Sequence, residues 1–326
     1  MRAVRAIRFG VFNPISTGGT EYSTLYRPDC YHTVYPRMTP ANAIPRKAPL
    51  PWAPIAWFAA LAIGCYAPIL YRLAVQWSDD PDMGHGFFVP LVVGLIVWQR
   101  REELAEVEVR PNWWGLVVVL FGAVQMMLGT LGVELFTSRA AFVVTVIGSV
   151  WFLGGTAILK KLVFPLALLF LMVPIPAVVY NQVTFKLQLL ASRLADSSLE
   201  ILSVPVVREG NILELPNMHL QVVEACSGIR SLLTLTFLSL VYGYLFEKRL
   251  WVRVALFMST IPIAILANGS RITATGILSQ VKPELAEGFF HESTGWILFL
   301  ISLGLLVVFH GILVLGCRWI ERRKPA

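Results

Sequence analysis

Long apolar runs broken by short polar clusters recur along the chain from residue 52 to residue 317. A helix that crosses a bilayer needs about 20 predominantly apolar residues. Eight runs answer to that pattern: 52–76, 84–98, 113–134, 139–159, 162–180, 228–246, 250–267 and 294–317. The run 84–98 is short, and crosses only if Gln99 and Arg100 snorkel or the bilayer thins locally. Runs 139–159 and 162–180 are separated by little more than Lys160 and Lys161, which predicts a tight hairpin there. The expected fold class is therefore an all-α polytopic membrane protein with about eight transmembrane helices.

The longest piece without a crossing is 181–227. In it Val183, Leu187, Leu190, Leu194 and Ile201 share one helical face, with Lys186, Arg193 and Asp196 off it. That spacing predicts an amphipathic helix at a membrane interface. "VVREGNILEL" follows, with Gly210-Asn211 as the turn of a small hairpin. Residues 1–47 show no apolar periodicity and no signal-peptide core, and Met38 offers a second start. They read as a disordered or non-native extension ahead of one multi-span domain, 48–326.

Composition sharpens this picture. Only 14% of residues are charged and mean hydropathy is +0.67, against about a quarter charged in soluble domains. The net charge of +7 raises nucleic acid as a partner, but the cations sit in short clusters between apolar runs. That is the pattern of membrane topology, so the partner called for is the lipid bilayer and no nucleic acid. With the N-terminus cytoplasmic, twelve cations fall on the inner side: Arg100, Arg101, Arg110, Lys160, Lys161, Lys248, Arg249, Arg253, Arg318, Arg322, Arg323 and Lys324. The opposite side receives "WSDDPDMGHG", 181–227 and 268–293, which places the amphipathic helix and hairpin outside the cytoplasm. Cys30, Cys65, Cys226 and Cys317 have no paired spacing, so neither a disulfide framework nor a zinc site is expected.

Ionisable groups at span edges call for a reason. The topology, set from loop charge alone, brings Cys226, Arg271 and His291 to one outer face. Those side chains suit acyl transfer. A cation beside a thiol exposes the nucleophilic thiolate, a histidine exchanges protons with the leaving amine, and a guanidinium stabilises an oxyanion. Each also has a plain structural alternative: a packed thiol, a snorkelling arginine, an interfacial histidine. Gly228 then serves close helix packing. "HEST" lacks the second histidine of a metalloprotease helix, so no metal or other cofactor is called for. His85, in "DMGHG", is an accessory polar group or part of the loop's structure.

"VVEACSGIRSL", "ILANGSRI" and "HESTGW", in that order, resemble the signature of the exosortase/archaeosortase family. "MGHGFFVPL", "LMVPIP" and "VVREGNILELP" match its flanking features, and the likeness runs over about residues 52–317. The resemblance implies a polytopic inner-membrane cysteine protease or transpeptidase whose active site lies on the periplasmic side. Its partners would be membrane-anchored proteins with a C-terminal sorting signal: a short motif such as Pro-Glu-Pro, a transmembrane helix and a basic tail. It also implies the roles: Cys226 as nucleophile, Arg271 as stabiliser of the transition state or substrate, His291 as proton-transfer partner. Arg230 and Asn268 match further motif positions and would bind substrate or support the site. A transporter or polysaccharide-export component, or a non-catalytic assembly factor, is the competing class. Against a transporter, the chain shows no internal repeat with matched broken helices, and its ionisable groups cluster near span ends.

Overall fold

The computed structural model describes residues 52–216, 218–222, 228–281 and 289–323. The proposed N-terminal extension lies outside the described residues, and so does Cys226. The helices are α1 (Trp52–Asp79), α2 (Phe88–Gln99), α3 (Arg101–Ala105), α4 (Trp113–Leu131), α5 (Leu135–Leu168), α6 (Ala177–Ile201), α7 (Ile229–Phe246), α8 (Leu250–Val281) and α9 (Phe289–Arg323). Two 3-10 segments, Pro81–Phe87 and Leu169–Met172, precede α2 and follow α5.

Among the described residues, seven helical stretches are long and apolar enough to cross a membrane. One of them, Leu135–Met172, is 38 residues long and doubles back. Its first leg runs against α4: Ser138 meets Gly129, Thr145 meets Gly122, and Phe152 meets Gly115. Its second leg returns, since Lys161 Nζ donates to the Glu103 carbonyl at 3.2 Å while Trp77 Nε1 donates to the Met172 carbonyl at 3.0 Å. Seven stretches therefore make eight passes, as the hydropathy pattern predicts. The reversal, however, is not at Lys160-Lys161. It falls at Gly155, whose backbone (φ 79°, ψ 179°) is one that side-chain-bearing residues hardly adopt. A Cβ there would stand 1.9 Å from the Arg110 carbonyl oxygen. The lysines belong to the returning leg, which ends at Met172, so residues 177–180 start α6 and do not finish a span.

The close α4–α5 contact rests on Gly115, Gly122 and Gly129, spaced by seven along one face of α4. Without a hydrophobic driving force between helices in lipid, small residues that let backbones touch supply the packing. Tyr66 of α1 crosses this seam, its hydroxyl 2.8 Å from Thr145 Oγ1 and donating to the Gly122 carbonyl at 3.3 Å.

Basic side chains collect at one end of the bundle. Arg100 Nη1 donates to the Lys161 carbonyl at 3.3 Å, and the Arg100 and Arg253 guanidiniums lie 5.0 and 5.3 Å from the centre of the Tyr244 ring. Phe164 stacks flat on the same ring at 3.9 Å. Glu247 sits at this end between α7 and α8. The backbone N–H of Arg249 holds its carboxyl below the ordinary range, against the pull of burial, and His310 and the Lys248 N–H add to the effect.

At the opposite end α6 packs along α8, with Leu194 against Gly269 and Leu199 against Gly276. Its buried face is Thr184, Gln188, Ala191, Ser192, Ala195 and Leu199, while Val183, Leu190 and Ile201 of the expected apolar face stay exposed. The helix is thus no solitary interfacial helix. Its small and polar side is the one that fits against protein, and its bulky side is left for other surroundings. The strands β1 (Val207–Glu209) and β2 (Ile212–Leu215) are antiparallel, with Glu209 opposite Ile212 across Gly210-Asn211. A third strand that the sequence reading did not separate, β3 (Met218–Gln221), pairs with β2. Ala191, Ala195, Leu213, Val222 and Ile272 form a small core joining the sheet to α6 and α8. Each large aliphatic side chain fully buried there contributes about 1.5–3 kcal/mol.

Candidate active site

The described residues that flank Cys226 in the chain are well anchored. Upstream, Val222 is buried, its N–H donates to the Asn211 carbonyl at 2.9 Å, and its carbonyl accepts from Asn211 Nδ2 at 3.0 Å. Downstream, Gly228 caps α7 with φ 79°, and Ile229 is buried directly after it. The Asn211 of the hairpin turn thus anchors the strand that leads to the thiol.

Gly228 presses on Asn268 of α8. A Cβ on Gly228 would lie 2.9 Å from both Cβ and Cγ of Asn268, which is 5% exposed. The glycine therefore answers two demands at once, a left-handed backbone and a close approach. One helical turn beyond Asn268 comes half-buried Arg271. Its guanidinium packs against α9 at Gly295, where a Cβ would stand 3.4 Å from Arg271 Cζ. His291 stands one turn before Gly295 in α9, and its side chain lies outside what is described. Arg271 and His291 do not occupy loops beside the spans, as the hydropathy windows suggest. Both lie within longer helices, because α8 runs on to Val281 and α9 starts at Phe289. An α8 of 32 residues is about 48 Å long, well beyond a hydrocarbon core of about 30 Å.

Facing α7 from the other side is the Pro81–Phe87 segment. Asp80 caps it by accepting from the Asp82 N–H at 2.9 Å, and Pro81 presets its first turn. His85 is buried at 6% exposure, with Nε2 3.2 Å from the Leu171 carbonyl. A carbonyl only accepts, so Nε2 carries the proton in this contact. His85 and Trp77 together pin the segment to the end of the α5 return leg, an anchoring place for this candidate. The segment also delivers Asp82, a residue that the sequence pattern does not single out. Arg230 Nε donates to Asp82 Oδ1 at 2.9 Å, and the Tyr180 hydroxyl donates to Asp82 Oδ2. The Asp82 side chain is 13% exposed and that of Arg230 51%. The signal available in the sequence was the acid-rich "SDDPD", whose third aspartate has no cap to make.

The described ends of the three signature blocks thus meet on α7, α8 and α9, at the end of the bundle away from the basic cluster. A scan against protein-family models matches the transmembrane exosortase model over residues 77–308. The chain belongs to the transmembrane exosortase family. The match takes in six whole passes, the first part of the last one, and every candidate site residue, from His85 to His291. No curated protein and no solved structure matches the chain. As a member of this family it is a multi-pass membrane protein, and the family implies processing of sorting signals. Among the described residues no cluster of His, Cys, Asp or Glu could hold a metal ion.

Proposed function

We propose that this exosortase is a cysteine peptidase or transpeptidase that cuts the C-terminal sorting signal of exported proteins at the outer face of the bacterial inner membrane. The observation that supports this most is the convergence of Gly228 on Asn268 and of Arg271 on Gly295. Two peptide units tether Cys226 to Gly228, which keeps their Cα atoms within about 7.6 Å of each other. One helical turn separates His291 from Gly295. This supports reading Cys226, Arg271 and His291 as one site.

The chemistry follows from those groups. The Cys226 thiol gives its proton to His291, and the thiolate attacks the scissile carbonyl. Arg271 donates to the oxyanion of the tetrahedral intermediate. His291 returns the proton to the leaving amine as the C–N bond breaks, leaving a thioester on Cys226. Water or an acceptor amine then displaces the thiolate and completes hydrolysis or transpeptidation. The basic end faces the cytoplasm by the positive-inside rule, so the thiol faces the periplasm, where a membrane-anchored substrate presents the residues preceding its helix. Asn268, by filling the space against Gly228, supports the start of α7 just after Cys226 in the chain.

The test is the size shift of a tagged substrate carrying a Pro-Glu-Pro motif, a transmembrane helix and a basic tail, followed in cells at matched expression. Cys226→Ala removes the attacking atom, so full-length substrate accumulates. Undiminished processing by Cys226→Ala would end the peptidase reading.

A further inference from the structure

We infer that Asp82 is a positioning residue of this site: with Tyr180 it fixes the Arg230 guanidinium so that its Nη fork receives a backbone carbonyl of the peptide substrate. The inference rests on the peptidase reading above and adds a substrate contact to it.

Three elements distant in sequence build the arrangement. Asp82 comes from the 3-10 segment before α2, Tyr180 from the first turn of α6, and Arg230 from the first turn of α7. Both carboxylate oxygens are engaged: one takes Arg230 Nε, the other takes the Tyr180 hydroxyl. Its own segment is held by Asp80 at the cap and by His85 on the Leu171 carbonyl. A nearly buried carboxylate of this kind is kept only when both oxygens are hydrogen-bonded and its charge is paired.

Arg230 is used on one side only. Asp82 engages Nε, and among the described residues no other side chain or carbonyl engages its two Nη groups. Half of the side chain is exposed, two residues beyond the glycine that closes the Cys226 segment. A guanidinium carries five N–H donors in a fixed fork, so four remain for a ligand. The charge of the Asp82–Arg230 pair is balanced, which leaves little net attraction for a further carboxylate. A neutral, paired acceptor suits it better, and an extended peptide offers one in its backbone carbonyls. Tyr180 matters because it holds the second carboxylate oxygen. Without that bond Asp82 rotates about its Cβ–Cγ axis and takes the fork with it.

A carbonyl contact made equally in the ground state and the transition state acts on KM and spares kcat. The measurement is cleavage kinetics of a synthetic peptide with a Pro-Glu-Pro segment, a transmembrane helix and a basic tail, using the full chain in nanodiscs. Asp82→Asn is expected to raise KM on the order of tenfold, with kcat within about twofold of the parent, as for loss of one charge-assisted hydrogen bond. Asp82→Glu is expected to recover most of that loss, and Tyr180→Phe to give a smaller rise in KM. Arg230→Gln should match Asp82→Asn, and the double variant should be no worse than Arg230→Gln, because Asp82 acts through Arg230. An unchanged KM in Asp82→Asn, or a fall in kcat alone, overturns the inference. If Asp82→Asn does not fold, Arg230→Gln carries the test, and its KM at the parent value overturns it equally. These failures are separable from failure of the parent reading, which shows itself as cleavage by Cys226→Ala.

Discussion

Replacing Gly228 with alanine adds one methyl group at the point where α7 meets α8. Two penalties follow from the structure. The backbone at φ 79°, ψ 3° is left-handed, and an L-residue there loses about 1–2 kcal/mol. The added Cβ would fall 2.9 Å from Cβ and Cγ of Asn268 and 3.2 Å from its Nδ2. Asn268 is buried on a helix and has little room to retreat, so overpacking adds about 1–3 kcal/mol. The sum, about 2–5 kcal/mol, is a large share of an ordinary folding stability of about 5–15 kcal/mol. At about 2–4 °C per kcal/mol for a domain of this size, the melting temperature in detergent should drop by about 4–20 °C. Gly94→Ala is the control, since a Cβ there meets nothing within 4 Å. It should be neutral or slightly stabilising, as alanine is the better helix former. Asn268→Ala removes two of the three crowding atoms, so Gly228→Ala should do less harm in that background, by about 1–2 kcal/mol in a double-mutant cycle. The assay is tryptophan-fluorescence melting of the four variants, with substrate processing read in parallel. A Gly228→Ala melting point within about 1 °C of the parent would refute the reasoning. Equal damage with and without Asn268 would locate the strain in the backbone alone and refute the packing half.

Three further outcomes are expected. Reporter fusions after Arg110, after Lys161 and at Ala326 should read cytoplasmic and one at Asn211 external; an external signal at Ala326 would dismantle the eight-pass topology. Cys226 should react with iodoacetamide near neutral pH much faster than Cys65 or Cys317, because the proposed site brings Arg271 and His291 beside it, and equal slow labelling of all three would make it an ordinary packed thiol. Glu247 has its carboxyl held below the ordinary range, chiefly by the Arg249 N–H. Its stabilising contribution is therefore present above the usual carboxylate range and lost as pH falls through its lowered value. Glu247→Gln should melt below the parent at pH 7 and converge with it in acid, and a gap that persists unchanged in acid would show that the charge is not what matters.

Much of this molecule is legible in the chain. Apolar run length gives the number of passes, because lipid imposes one length on every crossing. Loop charge separates the basic end from the other, and Gly210-Asn211 marks a turn because few residues accept its backbone. The three signature blocks give the family, and Cys226, Arg271 and His291 are the candidates they propose. What the pattern does not hold is partnership. Hydropathy parts 139–159 from 162–180 at Lys160-Lys161, and only the contact of Gly155 with the Arg110 carbonyl places the reversal earlier in the chain. The period of α6 shows which residues share a face, yet not that Ala191, Ser192 and Ala195 would be the ones to meet protein. In lipid a bulky apolar face gains nothing by choosing a helix over a tail, so small and polar faces do the choosing. The hydropathy windows stop short of Arg271 and start after His291 because a helix that leaves the membrane changes composition without changing conformation. Asp82, Tyr180 and Arg230 lie 98 and 148 positions apart in their two bonds. No local pattern joins residues so far apart, and only the packing of α6 and α7 around one carboxylate decides that they meet.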